Sequence, residues 1–322
     1  FIFMLKKKIF GFVAVGMLGV FLSACGGENQ TNGQSVSTGG NTEGTELSGQ
    51  VSIDGSTTVF PIMEAVSEEF KAVYPNVKAP IGTSGTGGGF KLFTAGSTDL
   101  SNASRLIKDE EKALAEQNGI AYEVFEMAYD GITVVVNKQN TWATDLTVED
   151  LKKLFIEDGT TKKWSDINPQ WPNEEVKFFT PGVDSGTHYY FNEVILEDAE
   201  LVKTAQLSAD PNVIATGVAG EKNAIGFFGY SYFEENADLL NAVRVNGIAP
   251  SNETIENGTY TPLSRSLYVY VNKASVQEKP QVYEYMKFAL ENAGDLAEET
   301  GYVRMPQEKY DEQLTKLENL KS

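Results

Sequence analysis

Three short segments rich in glycine and small hydroxyl residues constrain this chain more than anything else in it. They are Asp54-Gly55-Ser56-Thr57-Thr58, Thr83-Ser84-Gly85-Thr86-Gly87-Gly88-Gly89 and Asp184-Ser185-Gly186-Thr187. Each stands where a strand-like stretch gives way to helical spacing, so each marks a strand–helix junction. The first turn of a helix leaves backbone N–H groups unpaired, and the helix dipole adds partial positive charge there. Glycine lets that backbone come close to a ligand, and Ser and Thr hydroxyls add donors. Several such turns converging would enclose a small oxyanion with fixed donors and little formal charge.

The intervening sequence supports that reading. Val51-Ser52-Ile53 leads into the first cluster, and Pro61 opens a helix with Ile62, Val66, Phe70 and Val73 on one face. Val77 to Ile81 reads as a strand before the second cluster, and Phe90 to Ala95 as the helix after it. Asp99 to Arg105 leaves a further strand ahead of a charged helix, Asp109 to Gln117. Ile132-Thr133-Val134-Val135-Val136 suits a buried strand, and Thr147 caps a helix running to Leu154. Lys177-Phe178-Phe179 leads to the third cluster, whose helix puts Tyr190, Phe191, Val194 and Ile195 on one face. Leu267 to Val271 is a late strand, and the tail from Val276 is mainly helical. Strands alternating with helices predict an α/β chain of mostly parallel sheets flanked by helices. Ligands in such folds sit outside the carboxyl ends of the strands, where the three clusters fall.

The first residues read as a targeting segment. Lys6-Lys7-Lys8 precede an apolar run from Ile9 to Leu22, roughly 14 residues, short of the ~20 that span a bilayer as a helix. Phe1-Ile2-Phe3 precede Met4, the expected start. The run ends in Leu22-Ser23-Ala24-Cys25-Gly26, which resembles a bacterial lipoprotein signal with a lipid-accepting cysteine. Residues 1–24 are thus expected to be a signal peptide. Cys25 is the only cysteine in the chain, so no intrachain disulfide forms. Diacylation at Cys25 would hold the protein on the outer face of the cell membrane. Residues 25–48 are mostly Gly, Ser, Thr, Asn, Gln and Glu and read as a flexible tether.

Net charge is −19, and removing residues 1–24 with their three lysines and no acid leaves −22. That excludes a nucleic-acid partner and a basic membrane-binding face. It does not exclude an anion ligand, because exposed carboxylates are screened beyond about 8 Å at physiological salt. There is no Cys/His cluster for zinc and no calcium-type loop. The glycine-rich segment lacks the Gly-Lys-Ser/Thr ending of a nucleotide loop. Neither a metal nor a cofactor is expected. Arg105, beside Ala103-Ser104 at a strand end, is the candidate cationic ligand, since a guanidinium fork grips two oxygens at once. His188 is the only histidine; a Ser185/His188 pair lacks the third member of a triad.

These motifs, taken in order, resemble the phosphate-binding lipoproteins that serve ABC transporters. The similarity is carried by Asp54 to Pro61, Ser84 to Phe90, Ala103-Ser104-Arg105, Pro181 to Thr187, and Gly217-Val218-Ala219-Gly220 with Gly226 to Tyr230. It runs from about residue 49 to the C-terminus. The resemblance implies a type II periplasmic-binding-protein fold with two lobes, 49–136 plus 263–322 and 137–262, and phosphate in the cleft between them. It implies ligand contacts at Ser56, Thr57, Thr58, Ser84, Thr86, Arg105, Ser185, Gly186 and Thr187. Some relatives have an arginine where this chain has Pro181, which would leave Arg105 as the sole cation. Asp184 is a candidate acceptor for the proton of hydrogen phosphate, with Asp54 next in line. The implied partners are inorganic phosphate and an ABC permease–ATPase complex, and a monomer is expected. Sulfate or molybdate binding by the same architecture, a phosphatase-like enzyme, and an adhesin or sensor remain as alternatives.

Overall fold

The computed structural model describes residues 47–321, so the signal peptide, Cys25 and nearly all of the tether lie outside the described residues. An eight-stranded sheet organises the rest. Its strands are β1 (Ile53–Gly55), β2 (Leu100–Ala103), β3 (Tyr122–Asn137), β4 (Lys177–Pro181), β5 (Gln206–Ser208), β6 (Ala224–Gly229), β7 (Leu240–Ala242) and β8 (Ser264–Asn272). The spatial order is β1-β2-β8-β3-β6-β4-β5, with β7 on the far part of β3.

One long strand carries both halves of this sheet. From Tyr122 to Gly131, β3 pairs antiparallel with β8; from Ile132 to Val136 it pairs antiparallel with β6. The β-branched run predicted as a buried strand is therefore only its second half. The change of partner falls between Gly131 and Ile132, a few residues ahead of the boundary expected from the sequence.

The expectation of mostly parallel sheets needs correcting. β1–β2, β4–β5 and β4–β6 are parallel, whereas β2–β8, β3–β8, β3–β6 and β3–β7 are antiparallel. Each parallel pair contains β1 or β4, the strands that lead into the first and third glycine clusters. The antiparallel pairs all involve β3 or β8, the two strands that join the half-sheets. The sheet is mixed because its connectors are themselves strands.

Helix α1 (Phe60–Val73) buries Ile62, Val66 and Phe70, and Phe70 meets the rings of Tyr285 and Phe288 on the long helix Pro280–Glu299. Val73, expected on the same face, is 57% exposed because the helix ends there. Helix α2 (Gly85–Thr94) begins inside the glycine-rich segment, five residues earlier than its apolar spacing suggests. Helix α3 (Gly186–Phe191) continues as a π-helical turn over Asn192–Leu196. Phe191 stacks on Phe227 of β6 with centroids 3.9 Å apart and planes within 10°. Phe155 packs edge-on against both rings. Such ring pairs contribute about 0.5–1.5 kcal/mol each beyond their burial, and here they fix α3, and with it the third cluster, on the second half-sheet.

Candidate functional site

The first cluster forms the turn between β1 and α1. Gly55 has φ +139°, and a Cβ there would lie 2.1 Å from the Asn102 carbonyl oxygen, so only glycine fits. The Ser56 hydroxyl accepts from the N–H groups of Thr58 (3.2 Å) and Val59 (3.4 Å), which leaves its own proton to donate. The Thr58 carbonyl accepts from the buried Tyr302 hydroxyl at 2.7 Å. The turn is pinned before any ligand arrives.

The second cluster is the first turn of α2. Asp54 accepts from both the backbone N–H and the hydroxyl of Ser84, so it serves as an anchor for this turn. A Cβ on Gly89 would lie 2.5 Å from Gly55 Cα, so the glycine allows α2 to lie directly on the first turn. The Thr86 hydroxyl oxygen accepts from the Ser104 N–H at 3.2 Å and lies 3.0 Å from the Ser104 hydroxyl.

Arg105 leaves β2 at the same end of the sheet. Its Nη1 and Nη2 donate to the two carboxylate oxygens of Glu111 at 2.9 and 2.8 Å, and Nη1 also donates to the Leu106 carbonyl. The hydrogen bonds it donates to Glu111 raise the arginine's pKa above its ordinary value. The end-on fork is thus already engaged. The donors left are on the Nε–Nη2 edge, and Nη2 is the nearest atom to the open side of Gly87, 3.9 Å from where a Cβ would sit.

Ser56, Thr57, Ser84, Gly85, Thr86, Gly87, Gly88, Ser104 and Arg105 line one cavity of about 580 Å³. Its opposite wall comes from the third cluster's helix and the turn beyond it: Tyr189, Tyr190, Glu193 and Val194, with Arg265 from β8. The structure brings Arg265 to this cavity although nothing in its neighbourhood in the sequence singled it out. Arg265 is thus a second cation lining the cavity that holds Arg105. Thr58 is buried beneath the same wall, its hydroxyl oxygen accepting from Arg265 Nη2 at 2.9 Å.

The third cluster lines a neighbouring cavity of about 500 Å³, to which Asp184, Ser185, Gly186, Thr187 and Thr57 contribute. Thr57 belongs to both cavities, so they meet at the first turn. Ser185 caps α3, its hydroxyl accepting from the Thr187 N–H at 3.2 Å. A Cβ on Gly186 would lie 2.8 Å from Thr58 Cα, which shows how tightly α3 abuts the first turn. Asp184 is exposed and makes no hydrogen bond or ion pair among the described residues. His188 is buried, its Nδ1 bonds the Pro181 carbonyl at 3.0 Å, and among the described residues no hydrogen bond joins it to the Ser185 hydroxyl. No nucleophile–base pair forms there.

One ionisable group is unusual. Asp130 of β3 is 2% exposed, and burial pushes its carboxyl up to about 6 despite the nearby Arg265 guanidinium. Its folded pKa lies above its unfolded one, so the folded state holds more protons between about pH 4 and 6. The stability it contributes is therefore lost as pH rises through that window. Asp130→Asn should remove this drift. In urea unfolding, the variant should gain on wild type by up to about 3 kcal/mol between pH 4 and pH 7. A constant difference across that range would contradict it.

Comparison with known proteins decides the family. Residues 40–293 match the family model for the PBP superfamily domain. A phosphate-binding protein PstS of Staphylococcus saprophyticus is 40% identical, over 98% of this chain and 96% of its own length. The chain belongs to the PstS family. A PstS protein of Staphylococcus aureus is 37% identical over 98% of this chain and 93% of its own. Among solved structures, a possible phosphate-binding protein of Planctomyces limnophilus superposes with a TM-score of 0.81 at 39% identity. It covers 86% of this chain and all of its own. An ABC-type phosphate transport receptor from Vibrio cholerae gives 0.61 at 25%, covering 80% of this chain and all of its own. The fold is that of the type II periplasmic binding proteins, and the family members are transport binding proteins rather than enzymes.

Proposed function

We propose that this chain captures inorganic phosphate outside the cell membrane and hands it to an ABC transporter. The observation that carries this reading is the 580 Å³ cavity, where the α2 N-terminal turn, the Ser56, Thr57 and Thr86 side chains and two guanidinium groups face one space. Helix N-termini and hydroxyls supply directional donors, and the arginines supply charge in a partly water-excluded site, where each bond counts for more. Ser56, Thr57, Thr58, Ser84, Thr86 and Arg105 bind the anion from the first half-sheet. Ser185, Gly186 and Thr187 close on it from the second, the residues on either side of the β3 and β8 crossings acting as two lobes. Phosphate shifts the population toward the closed form by touching both. Equilibrium dialysis against labelled phosphate, with sulfate and molybdate as competitors, tests the ligand. Turnover of a phosphate ester would favour an enzyme instead.

Asp184 fits the role of proton acceptor once closure dries its surroundings. Hydrogen phosphate has a proton to give and sulfate has none, and a site built around one such bond rejects the analogue by about 10⁴ or more. Asp184→Asn should weaken phosphate and narrow the gap to sulfate; an unchanged ratio moves the acceptor elsewhere. Anchorage by diacylglycerol at Cys25 follows from the apolar run ahead of it. Cys25→Ala should release the protein from the membrane fraction or leave it unprocessed. Retention with cleavage before residue 25 would defeat that part.

A further inference from the structure

Arg265 stands on β8 directly opposite Asp130 of β3, at the place where β3 changes partner. Its guanidinium lies over the ring of Tyr190, with Cζ 3.5 Å from the centroid. The Tyr190 hydroxyl is fixed in turn by donation to the Pro262 carbonyl at 2.7 Å. Nη2 donates to the Thr58 hydroxyl oxygen at 2.9 Å, Nε lies 3.4 Å from Asp130 Oδ2, and Nη1 lies 3.4 Å from Glu193 Oε2. These partners come from the first turn, from β3 and from the helix beyond the third cluster, so one side chain touches both half-sheets beside the cavity.

The partners are not equivalent. Thr58 and Asp130 are buried and Arg265 is itself only 14% exposed, whereas Glu193 is 48% exposed. Its contact, like that to Asp130, is 3.4 Å, longer than the 2.7–2.9 Å usual for charge-assisted bonds, so exposure is what sets Glu193 apart. Glu193 is therefore the partner most easily replaced. Meanwhile Arg105 has given its end-on fork to Glu111, and one guanidinium edge cannot neutralise a buried dianion by itself. A second cation across the same cavity would add to the charge that this edge supplies.

We infer that Arg265 is the second cation of the phosphate site and that Glu193 is its resident counter-ion, displaced when the anion enters. The inference rests on the phosphate reading above. Arg265 then has two tasks: it meets the anion through the Nη1 edge that Glu193 vacates, and it holds the Thr58 oxygen so that the threonine's own proton is left to donate. The competing account is that Arg265 does no more than balance the buried Asp130.

Titration calorimetry of the full chain with inorganic phosphate separates the two. Glu193→Gln should tighten phosphate by about 3- to 10-fold, because the anion no longer competes with a carboxylate. Arg265→Gln is made together with Asp130→Asn, so that no buried carboxylate is left unpaired, and should bind at least about 30-fold more weakly than Asp130→Asn alone. Binding by the double variant within threefold of Asp130→Asn, or no gain from Glu193→Gln, would overturn the assignment. If the double variant does not fold, Glu193→Gln decides alone, since its side chain is half-exposed. Wild type is the control: failure to bind phosphate there defeats the phosphate reading itself. Normal wild-type binding with unaltered variants defeats only the role of Arg265.

Discussion

Replacing Arg105 with alanine should lower phosphate affinity by a factor of about 30 to several thousand, the equivalent of roughly 2–5 kcal/mol. Removing one member of a charge pair from a desolvated site leaves the other uncompensated, which is why so large an effect is expected. Arg105→Ala has a second consequence, because Glu111 then loses its bidentate partner. Burial pushes the Glu111 carboxyl up, and the hydrogen bonds from Arg105 and the Lys108 N–H outweigh it, so the group sits below its ordinary value. Without Arg105 an ionised Glu111 near the cavity would repel the anion further. Arg105→Lys should recover only part of the loss, since lysine offers a point charge and cannot engage Glu111 and an anion through two separate edges. Titration of the three proteins with phosphate checks this. Binding by Arg105→Ala within threefold of wild type would mean that the charge comes from elsewhere.

Gly186→Ala is expected to cost about 10- to 100-fold in phosphate affinity while changing the fold little. The added methyl would lie 2.8 Å from Thr58 Cα, 3.2 Å from the Thr57 carbonyl oxygen and 3.3 Å from the Thr58 nitrogen. Those are backbone atoms of a turn pinned by Tyr302 and Asn102, so the turn cannot yield cheaply. The helix must retreat instead, and overpacking of this kind costs typically 1–3 kcal/mol. α3 keeps its anchor through Phe191 and Phe227, so the loss should fall on closure rather than on folding. A melting temperature close to wild type with weakened phosphate binding is the expected pair of results. Unchanged affinity would show that α3 does not close on the first turn to hold the ligand.

The parts of the site that the sequence makes legible are those whose requirement is local. Gly55 and Gly85 have φ values of +139° and +80°, and such positions announce themselves as glycine among small polar residues. Arg105 could be found because it leaves a strand end beside the same motifs. Arg265 could not. Its place depends on the register between β8 and β3, 135 residues apart, and on a ring from α3 that happens to lie beneath it. The same limit explains why the third cluster lines an adjoining cavity rather than the one with Arg105: which face of a turn meets which space is decided by packing between half-sheets. The direction of β3 was hidden for a related reason. Its first half, with Glu123 and Glu126 among apolar residues, carries a weak pattern, and only pairing with β8 shows one strand serving both halves.

The most direct test of the account is isothermal titration of the wild-type chain with phosphate and, separately, with sulfate at the same ionic strength. Saturable one-to-one binding of phosphate, with sulfate weaker by about 10⁴ or more, is the predicted result. Equal affinity for the two anions, or no heat from phosphate at millimolar concentration, would contradict it.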